Sequence, residues 1–218
     1  GVVVPDTADK FDYRFLGLVG FADPLRDNVS AAVAECRTAG IRIIMITGDF
    51  PATAQSIAMQ AGLDFQTVIT GDDIKKLDEK ELQNAVKTTH IFARISPDQK
   101  LRIVQALKAN GEVVAMTGDG VNDAPSLKAA HIGVAMGLRG TDVAREASSI
   151  VLLDDNFASL VHTIALGRRI YDNLRKAMVY IVAVHVPIAG LALLPLIFDK
   201  PLILTPLLIA LMEMVIDP

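Results

Sequence analysis

The sequence contains no tryptophan and a single cysteine, and aromatic residues make up only 5% of its 218 positions. One cysteine, Cys36, excludes both a disulfide framework and a cysteine-based zinc site. Scarce aromatic side chains leave no platform on which nucleic-acid bases would stack. Basic residues are not in excess either, since the formal net charge is −4. Composition therefore argues against nucleic acid as a partner.

Charged residues are also missing from a long stretch near the C-terminal end. Residues 177–198 contain no Asp, Glu, Lys or Arg, and about 20 apolar residues are enough to cross a bilayer as a helix. This stretch accounts for much of the mean hydropathy of +0.40, which is high for a soluble domain. We predict a transmembrane helix at 177–198 and the start of a second one at 202–218, with the lipid bilayer as a partner.

Basic residues immediately precede the first apolar stretch, which predicts that the preceding part of the chain is cytoplasmic. These residues are Arg168, Arg169, Arg175 and Lys176. Apolar residues recur at helical spacing over 157–176, so we predict a stalk helix that leads into the membrane. The expected location is a plasma membrane crossed several times. Because the sequence starts at Gly1 and the second apolar run stops at Pro218, we interpret it as part of a longer polypeptide.

Residues 1–156 alternate between short apolar runs and helical patterns, whereas the polar segment 64–89 has no clear pattern. The predicted strands are 15–21, 41–46, 90–94, 112–116, 132–136 and 149–153, and the predicted helices are 27–39, 51–61, 96–110 and one that begins at Ala124. Strands that alternate with helices predict an α/β fold, a parallel sheet with helices on both faces. Ligands of such sheets bind beyond the carboxyl ends of the strands.

One predicted strand end carries a group of hard oxygen ligands. The segment Met116–Asp123 (MTGDGVND) follows the strand 112–116, and it holds Asp119, Asn122 and Asp123. Mg²⁺ takes one or two protein carboxylates together with phosphate oxygens, and the glycines allow a close approach of the backbone. We therefore predict a magnesium–phosphate site here, the alternative being an acidic surface turn.

A second strand-end loop and a lysine fit the same chemistry. Thr47, Gly48 and Asp49 follow the strand 41–46, and the threonine hydroxyl and glycine N–H are suited to phosphate oxygens. Lys100 lies in the first turn of the helix that starts at Ser96, where it would supply a cation to a transferred phosphoryl group. Taken alone, Lys100 also fits a solvated surface lysine.

Three ionisable residues fall within the predicted membrane segments, where such groups are costly and usually functional. They are His185, Glu213 and Asp217, of which the last two share a helix face. We predict that they belong to an ion path, helped by backbone carbonyls that Pro187 and Pro195 free by breaking the helix. The alternatives are an interfacial position for Asp217 and a satisfied interior histidine at His185.

Taken together, these motifs resemble the P-type cation-transporting ATPases, and within them the calcium-pump-like group of bacteria. The resemblance is carried by DPLR (23–26), MITGD (45–49), FARISPDQK (92–100), MTGDGVND (116–123), IGVAMG (132–137) and GTDVAREA (140–147). It implies that residues 1–156 are the C-terminal part of a phosphorylation domain of haloacid-dehalogenase-like fold. Residues 157–198 would be the stalk and fifth membrane helix, and residues 202–217 the start of the sixth.

The resemblance also implies Mg²⁺ and ATP as cofactors and assigns roles to the residues. Asp119 would bind the metal, with support from Asn122 and Asp123; Lys100, Thr47 and Gly48 would contact the phosphoryl group, with Asp49 close to metal and nucleotide, and Arg94 would lie near the nucleotide. The transported cation would be Ca²⁺ by preference, with H⁺ or a monovalent ion as alternatives. The ion remains open because Ile188 and His185 stand where calcium pumps carry Glu and Asn, and Glu213 stands at an amide position.

One element of the family pattern is missing from the sequence. The Asp-Lys-Thr-Gly-Thr segment that carries the phosphorylated aspartate is not present, so we expect the chain to be inactive without an N-terminal portion of the same polypeptide. Two other interpretations remain: a membrane-tethered phosphatase of the haloacid dehalogenase type, which needs a nucleophile within this chain, and a non-catalytic membrane anchor, which would not bind Mg²⁺ and phosphate.

Overall fold

The computed structural model describes residues 14–17, 19–20, 24–201 and 204–216. The helices are α1 (Val29–Thr38), α2 (Pro51–Ala61), α3 (Gly71–Lys76), α4 (Glu79–Thr88), α5 (Pro97–Ala109), α6 (Ala124–Ala129), α7 (Asp142–Ala147), α8 (Phe157–Ile197) and α9 (Pro206–Ile216). The strands are β1 (Met45–Ile46), β2 (Val68–Thr70), β3 (Ile91–Ala93), β4 (Ala115–Gly118), β5 (Ile132–Met136) and β6 (Ile150–Leu152).

The strands form two three-stranded sheets, in the orders β1-β3-β2 and β4-β5-β6, and every pair is parallel. In the first sheet Ile46 lies opposite Phe92, and in the second Thr117 lies opposite Val134. Parallel neighbours need a crossover connection, which the helices between the strands provide. The predicted α/β class is therefore confirmed, with two sheets in place of the single sheet expected.

Helix α5 connects the two sheets because its apolar face packs against both. Ile103 and Leu107 of α5 belong to one buried cluster with Phe92 of β3 and Met116 of β4, and Ile46 of β1 packs against the same cluster. Each large apolar side chain that is fully buried in this cluster stabilises the fold by about 1.5–3 kcal/mol relative to an exposed position. The core therefore lies along α5, with a sheet edge on each side.

The strands β1 and β4 are both edges of their sheets, and they lie on the same helix. Their N-terminal ends are joined by an ion pair, in which Arg42 Nη2 is 3.5 Å from Glu112 Oε1. Val113, just before β4, is 79% exposed although it is apolar. Parallel strands are normally covered on both faces and paired on both sides. Within the described residues, the first sheet therefore ends at one open edge and the second begins at another.

The polar segment 64–89 folds into ordered elements that its sequence pattern does not indicate. It contains β2, α3 and α4, and each helix starts with a reciprocal cap. Thr70 and Asp73 cap α3, and Asp78 and Glu81 cap α4, so that each side chain accepts the other's backbone N–H. Such caps satisfy N–H groups that a helix cannot pair internally.

Other predicted boundaries shift in the structure. The described residues of segment 15–21 lie in neither helix nor strand, so the strand predicted there is wrong for those residues. The strand predicted over 41–46 is reduced to Met45–Ile46, because only its C-terminal part finds a hydrogen-bonding partner. The strand predicted over 132–136 is confirmed at those positions.

Helix α8 contains 41 residues and covers both the predicted stalk and the predicted membrane span. At 1.5 Å per residue it is about 60 Å long, roughly twice the thickness of a bilayer core. It continues through Pro187 and Pro195 without an interruption, so the broken helix expected there is not observed. Within the described residues it is the one helix long and apolar enough to cross a membrane, and none of its most apolar 18-residue window is buried.

Truncation of Phe92 tests the shared core. Phe92 is fully buried, and replacement by Ala is expected to lower the free energy of unfolding by about 3–5 kcal/mol because a large cavity remains. Met59→Ala is the control, since Met59 is 58% exposed, and it is expected to change stability by less than about 0.5 kcal/mol. Urea unfolding followed by circular dichroism measures both. Equal losses would show that Phe92 is not part of a buried core.

Candidate functional site

The end of β4 turns directly into a short 3₁₀ helix, Val121–Asp123, which leads into α6. Gly118 closes the strand at a position where no side chain fits, since an added Cβ would lie 2.6 Å from the Cβ of Asp123. Gly120 donates its N–H to Asp123 Oδ2 at 3.3 Å. Gly118 therefore allows the turn to fold back until the Asp123 carboxylate lies against the strand end, where the Gly120 N–H binds it.

A buried ion pair occupies this turn. Lys100 Nζ donates to Asp123 Oδ1 at 2.6 Å, and the two side chains are only 19% and 9% exposed. Lys100 comes from the first turn of α5, which follows β3 of the first sheet, whereas Asp123 follows β4 of the second sheet. A pair of this kind is stable only because each charge compensates the other's lost hydration. It joins the carboxyl ends of the two sheets.

Asp119 and Asn122, by contrast, point into solvent. Both are exposed, and no described side chain or backbone group bonds the Asp119 carboxylate. The backbone of Asp119 is fixed, because its carbonyl accepts the N–H of Thr141 at 2.8 Å. Asp119 therefore offers an unshared carboxylate from a backbone position that is held in place, in the same turn as Asp123, the partner of Lys100.

This arrangement fits a magnesium ion shared with a phosphate, and does not fit a metal held by protein alone. In the described part of the chain, no group of three or more His, Cys, Asp or Glu side chains gathers in one place. Mg²⁺ usually keeps several waters and takes one or two carboxylates plus substrate phosphates. Asp119 provides one such carboxylate, while Asp123 is already engaged by Lys100.

The loop after β1 is held by its own hydrogen bonds and by β3. Thr47 Oγ1 donates to Asp49 Oδ2 at 2.9 Å and accepts the Asp49 N–H at 3.1 Å. The Thr47 carbonyl accepts from the N–H of Ile95, just before α5. Gly48 is exposed, and an added Cβ would meet nothing within 4 Å. The side chains of Thr47 and Asp49 thus face each other, with the Gly48 backbone open to a ligand.

Arg94 has an unusual backbone that its neighbours stabilise. Its φ is +57°, in the left-handed region, and such a conformation costs about 1–3 kcal/mol in a non-glycine residue. The Arg94 N–H donates to the Asp49 carbonyl at 3.0 Å, and an added Cβ on Gly71 would lie 2.2 Å from the Arg94 carbonyl oxygen. Its guanidinium lies 4.5 Å from the ring centre of Phe50, a cation–π contact.

The sequence motifs do not indicate the roles of two residues at this end of the sheets. Phe50 is 64% exposed although apolar, and only its stacking on Arg94 explains that position. Thr141 supports Asp119 through its backbone N–H, which no side-chain pattern can predict. The remaining candidates divide into two connected groups, with Thr47, Asp49 and Arg94 in one and Lys100 and Asp123 in the other; the short connection from Ile95 to α5 joins them.

Comparison with known proteins agrees with this arrangement. A family model described as haloacid dehalogenase-like hydrolase matches residues 3–131, more than half of the chain. The chain belongs to the haloacid dehalogenase-like hydrolase family. In this family member, the matched region includes both strand-end loops, Lys100 and the turn that carries Asp119 and Asp123.

The relatives of this haloacid dehalogenase-like chain are cation-transporting ATPases. The calcium-transporting ATPase of Bacillus subtilis (strain 168) is 47% identical over 214 residues, which cover 97% of this chain and 24% of that protein. The sodium/potassium-transporting ATPase subunit alpha-A of Artemia franciscana is 42% identical over 87% of this chain and 22% of its own length. The chain thus spans about a quarter of the length of these relatives.

A solved structure has the same architecture. A zinc-transporting PIB-type ATPase in an E2.Pi state superposes with a TM-score of 0.60 and 30% sequence identity, covering 82% of this chain and 24% of that one. The predicted resemblance to P-type cation-transporting ATPases is therefore confirmed, together with the haloacid-dehalogenase-like fold.

The candidate membrane residues are not brought together by the described structure. His185 is exposed on α8, and its Nδ1 lies 2.8 Å from the Ile181 carbonyl oxygen one turn earlier. The side chain of Glu213 and the whole of Asp217 lie outside the described residues. The ion path predicted from these three residues stays a prediction.

Removing one charge of the buried pair tests its structural role. Asp123→Asn is expected to lower the free energy of unfolding by about 2–4 kcal/mol, because it leaves the Lys100 ammonium without its counter-charge. Combining it with Lys100→Met is expected to recover part of that loss. Asp72→Asn is the matched control: it breaks the surface pair with Lys75, whose side chains are 82% and 69% exposed, and should have no measurable effect. Strictly additive losses would contradict the pairing.

Proposed function

We propose that this chain is part of an ATP-driven cation pump that works through an aspartyl-phosphate intermediate, and that it supplies the magnesium–phosphate site and part of the ion path. The observation that carries the proposal is the turn after β4, which holds both the exposed, unshared Asp119 carboxylate and the Asp123 carboxylate of the buried pair with Lys100. The relatives' names support it, and so does helix α8, which leaves the α/β domain directly as an apolar span.

The proposed roles follow from the contacts. Asp119 holds the metal together with phosphate oxygens, with Asn122 alongside. Asp123 positions Lys100. It therefore supports the metal site indirectly and does not act as a full metal ligand. Lys100 places its ammonium against the transferred phosphoryl group, where charge develops in the transition state. A bound Mg²⁺ would spread the remaining phosphate charge.

The loop after β1 and Arg94 are proposed to bind the other phosphate oxygens and the nucleotide. Gly48 donates its N–H to a phosphate oxygen. The Thr47 hydroxyl donates to Asp49 while no phosphate is bound, and it turns to donate to a phosphate oxygen when one binds. Arg94, pressed against Phe50, offers its cation to the nucleotide ATP. Phosphoryl transfer depends mainly on such positioning and charge stabilisation.

The nucleophile is proposed to come from a portion of the polypeptide outside this chain. The relatives are about four times longer than the matched region. The open edges of β1 and β4, side by side on α5, support this proposal, because a parallel strand paired with both would complete one continuous sheet. A carboxylate at the end of that strand would emerge between Thr47 and Asp119, at the carboxyl end where ligands of such sheets bind.

Substitution of Asp119 tests the metal role. In the longer polypeptide, Asp119→Ala is expected to reduce Mg²⁺-dependent phosphoenzyme formation from radioactive ATP by about two orders of magnitude or more, because metal and preorganised charge are the main catalytic contributions. Asp64→Ala serves as the control, since Asp64 only accepts the Gln66 N–H at the surface. Undiminished labelling of the Asp119 variant would refute the assignment.

The ion path is proposed to include Glu213, Asp217 and His185, with Ca²⁺ favoured over H⁺ or a monovalent cation. The proposed setting is a plasma membrane crossed several times, with the α/β domain in the cytoplasm. Glu213→Gln and Asp217→Asn are expected to raise the cation concentration needed for phosphorylation by ATP by about tenfold or more, because each removes a charged hard-cation ligand. Phosphorylation by inorganic phosphate, measured without cation, should persist. Unchanged cation activation and transport in both variants would place the ion site elsewhere.

A further inference from the structure

The loop between β5 and α7, residues 137–141, is held by a carboxylate from outside it. Asp155 is 6% exposed, and its two carboxylate oxygens accept the N–H groups of Leu138 and Arg139, each at 2.9 Å. Burial raises the pKa of Asp155, but the N–H groups of this loop and the charge of Arg26 outweigh burial and hold the pKa below its usual value. The carboxylate is therefore ionised at neutral pH.

The other side of the same loop is held by an arginine. Arg145 Nη1 donates to the carbonyls of Gly137 at 2.9 Å and Gly140 at 2.6 Å. The loop also has no room to shift inwards, because an added Cβ on Gly140 would lie within van der Waals overlap of the Met136 carbonyl. With its N–H groups on Asp155 and its carbonyls on Arg145, the loop behaves as a rigid unit.

This rigid loop contacts the candidate metal turn. The N–H of Thr141, its last residue, donates to the carbonyl of Asp119 at 2.8 Å. Asp119 is otherwise exposed, so this bond ties its backbone directly to the β5–α7 loop. Any displacement of the loop therefore reaches the backbone that carries the Asp119 carboxylate.

At its other end the connection reaches helix α8. Asp155 immediately precedes Asn156, the N-cap of α8, whose side chain accepts the Ala158 N–H. The Asp155 backbone has φ +50°, and its carbonyl accepts from Arg26 Nη1 at 2.6 Å. Asp155 is thus fixed to the first turn of the helix by its backbone and to the loop by its side chain.

We infer that Asp155 is a positioning residue that transmits displacement between the metal turn and the membrane helix, through the 137–141 loop and the Thr141–Asp119 hydrogen bond. This inference rests on the proposed function, because it concerns how the same phosphate site communicates with α8. The transmission is mechanical: a phosphate analogue that shifts the Asp119 backbone shifts the loop through Thr141, and the loop carries the shift through Asp155 to the start of α8. Two-way communication follows, since coupling between sites is reciprocal.

The neighbouring Asp154 provides a matched control within the same turn. Asp154 accepts from the Asn156 N–H at 3.1 Å and from Ser159 Oγ at 2.6 Å. Both bonds lie within the start of α8 and neither reaches the 137–141 loop. Replacing Asp154 therefore weakens the helix start alone, whereas replacing Asp155 also separates the helix from the loop.

The test uses the longer pump polypeptide with Mg²⁺ and beryllium fluoride, a phosphate mimic, so that the transported ion need not be known. Hydrogen exchange of the α8 amides over 157–165 is measured with and without the mimic, and mimic binding is measured separately. In the wild type and in Asp154→Ala, the mimic is expected to slow this exchange by about fivefold or more. In Asp155→Ala the mimic should still bind within about threefold of wild type, and the change in α8 exchange should be lost. Asp155→Asn, which keeps one acceptor oxygen, should respond in between.

A second pair of variants acts at the opposite end of the connection and leaves Asp155 intact. Thr141→Pro removes the N–H that the Asp119 carbonyl accepts, and the Thr141 φ of −75° suits proline. Thr141→Val retains this N–H, and both variants lose the hydroxyl that caps α7. The exchange response should vanish in Thr141→Pro and persist in Thr141→Val. These two variants test the proposed connection even if Asp155→Ala does not fold.

The outcomes separate the inference from the function on which it rests. Failure of the wild type to bind the mimic would overturn the proposed function, and the inference with it. Binding in the wild type without any response in α8 would overturn the inference alone. A full response in both Asp155→Ala and Thr141→Pro would do the same, because the signal would then reach α8 by another route.

Discussion

The ion pair between Lys100 and Asp123 is the contact on which the organisation of this site depends. Its partners follow strands of different sheets, and their side chains are mostly buried. Each charge is tolerated only because of the other, so the pair fixes the start of α5 against the turn after β4. With that geometry set, Asp119 has its carboxylate free for a metal and its backbone tied to Thr141. In the proposed function, the same pair positions the cation that contacts the transferred phosphoryl group.

Much of this site is predictable because parallel strands end at a common edge. The sequence places Thr47, Asp119 and Asp123 after buried strands and Lys100 in a helix start, and a sheet topology then brings strand ends together. The meeting of Lys100 with Asp123 depends on the direction of α5, which the strand–helix alternation already implies. The sequence suggests Asp123 as a metal ligand. In the structure, however, its two carboxylate oxygens already accept from Lys100 and from the Gly120 N–H.

What the sequence does not predict has physical reasons. The caps at Thr70–Asp73 and Asp78–Glu81 lie in a polar segment without apolar period, although their three-residue spacing is a recognisable signal for helix starts. The strand predicted over 41–46 is mostly unpaired because β1 is a sheet edge. Asp155 owes its importance to a positive φ and to distant backbone partners, neither of which leaves a pattern in neighbouring residues.

The central claim is that this chain provides the metal and cation of a phosphoryl-transfer site whose nucleophile lies elsewhere in the polypeptide. The most direct measurement is to phosphorylate the longer polypeptide with ATP and Mg²⁺, trap the acyl phosphate by borohydride reduction, and locate the reduced residue by mass spectrometry. The account predicts a single modified aspartate outside residues 1–218. A modified carboxylate within this chain, at Asp49, Asp119 or any other position, would contradict it and favour a self-contained phosphatase.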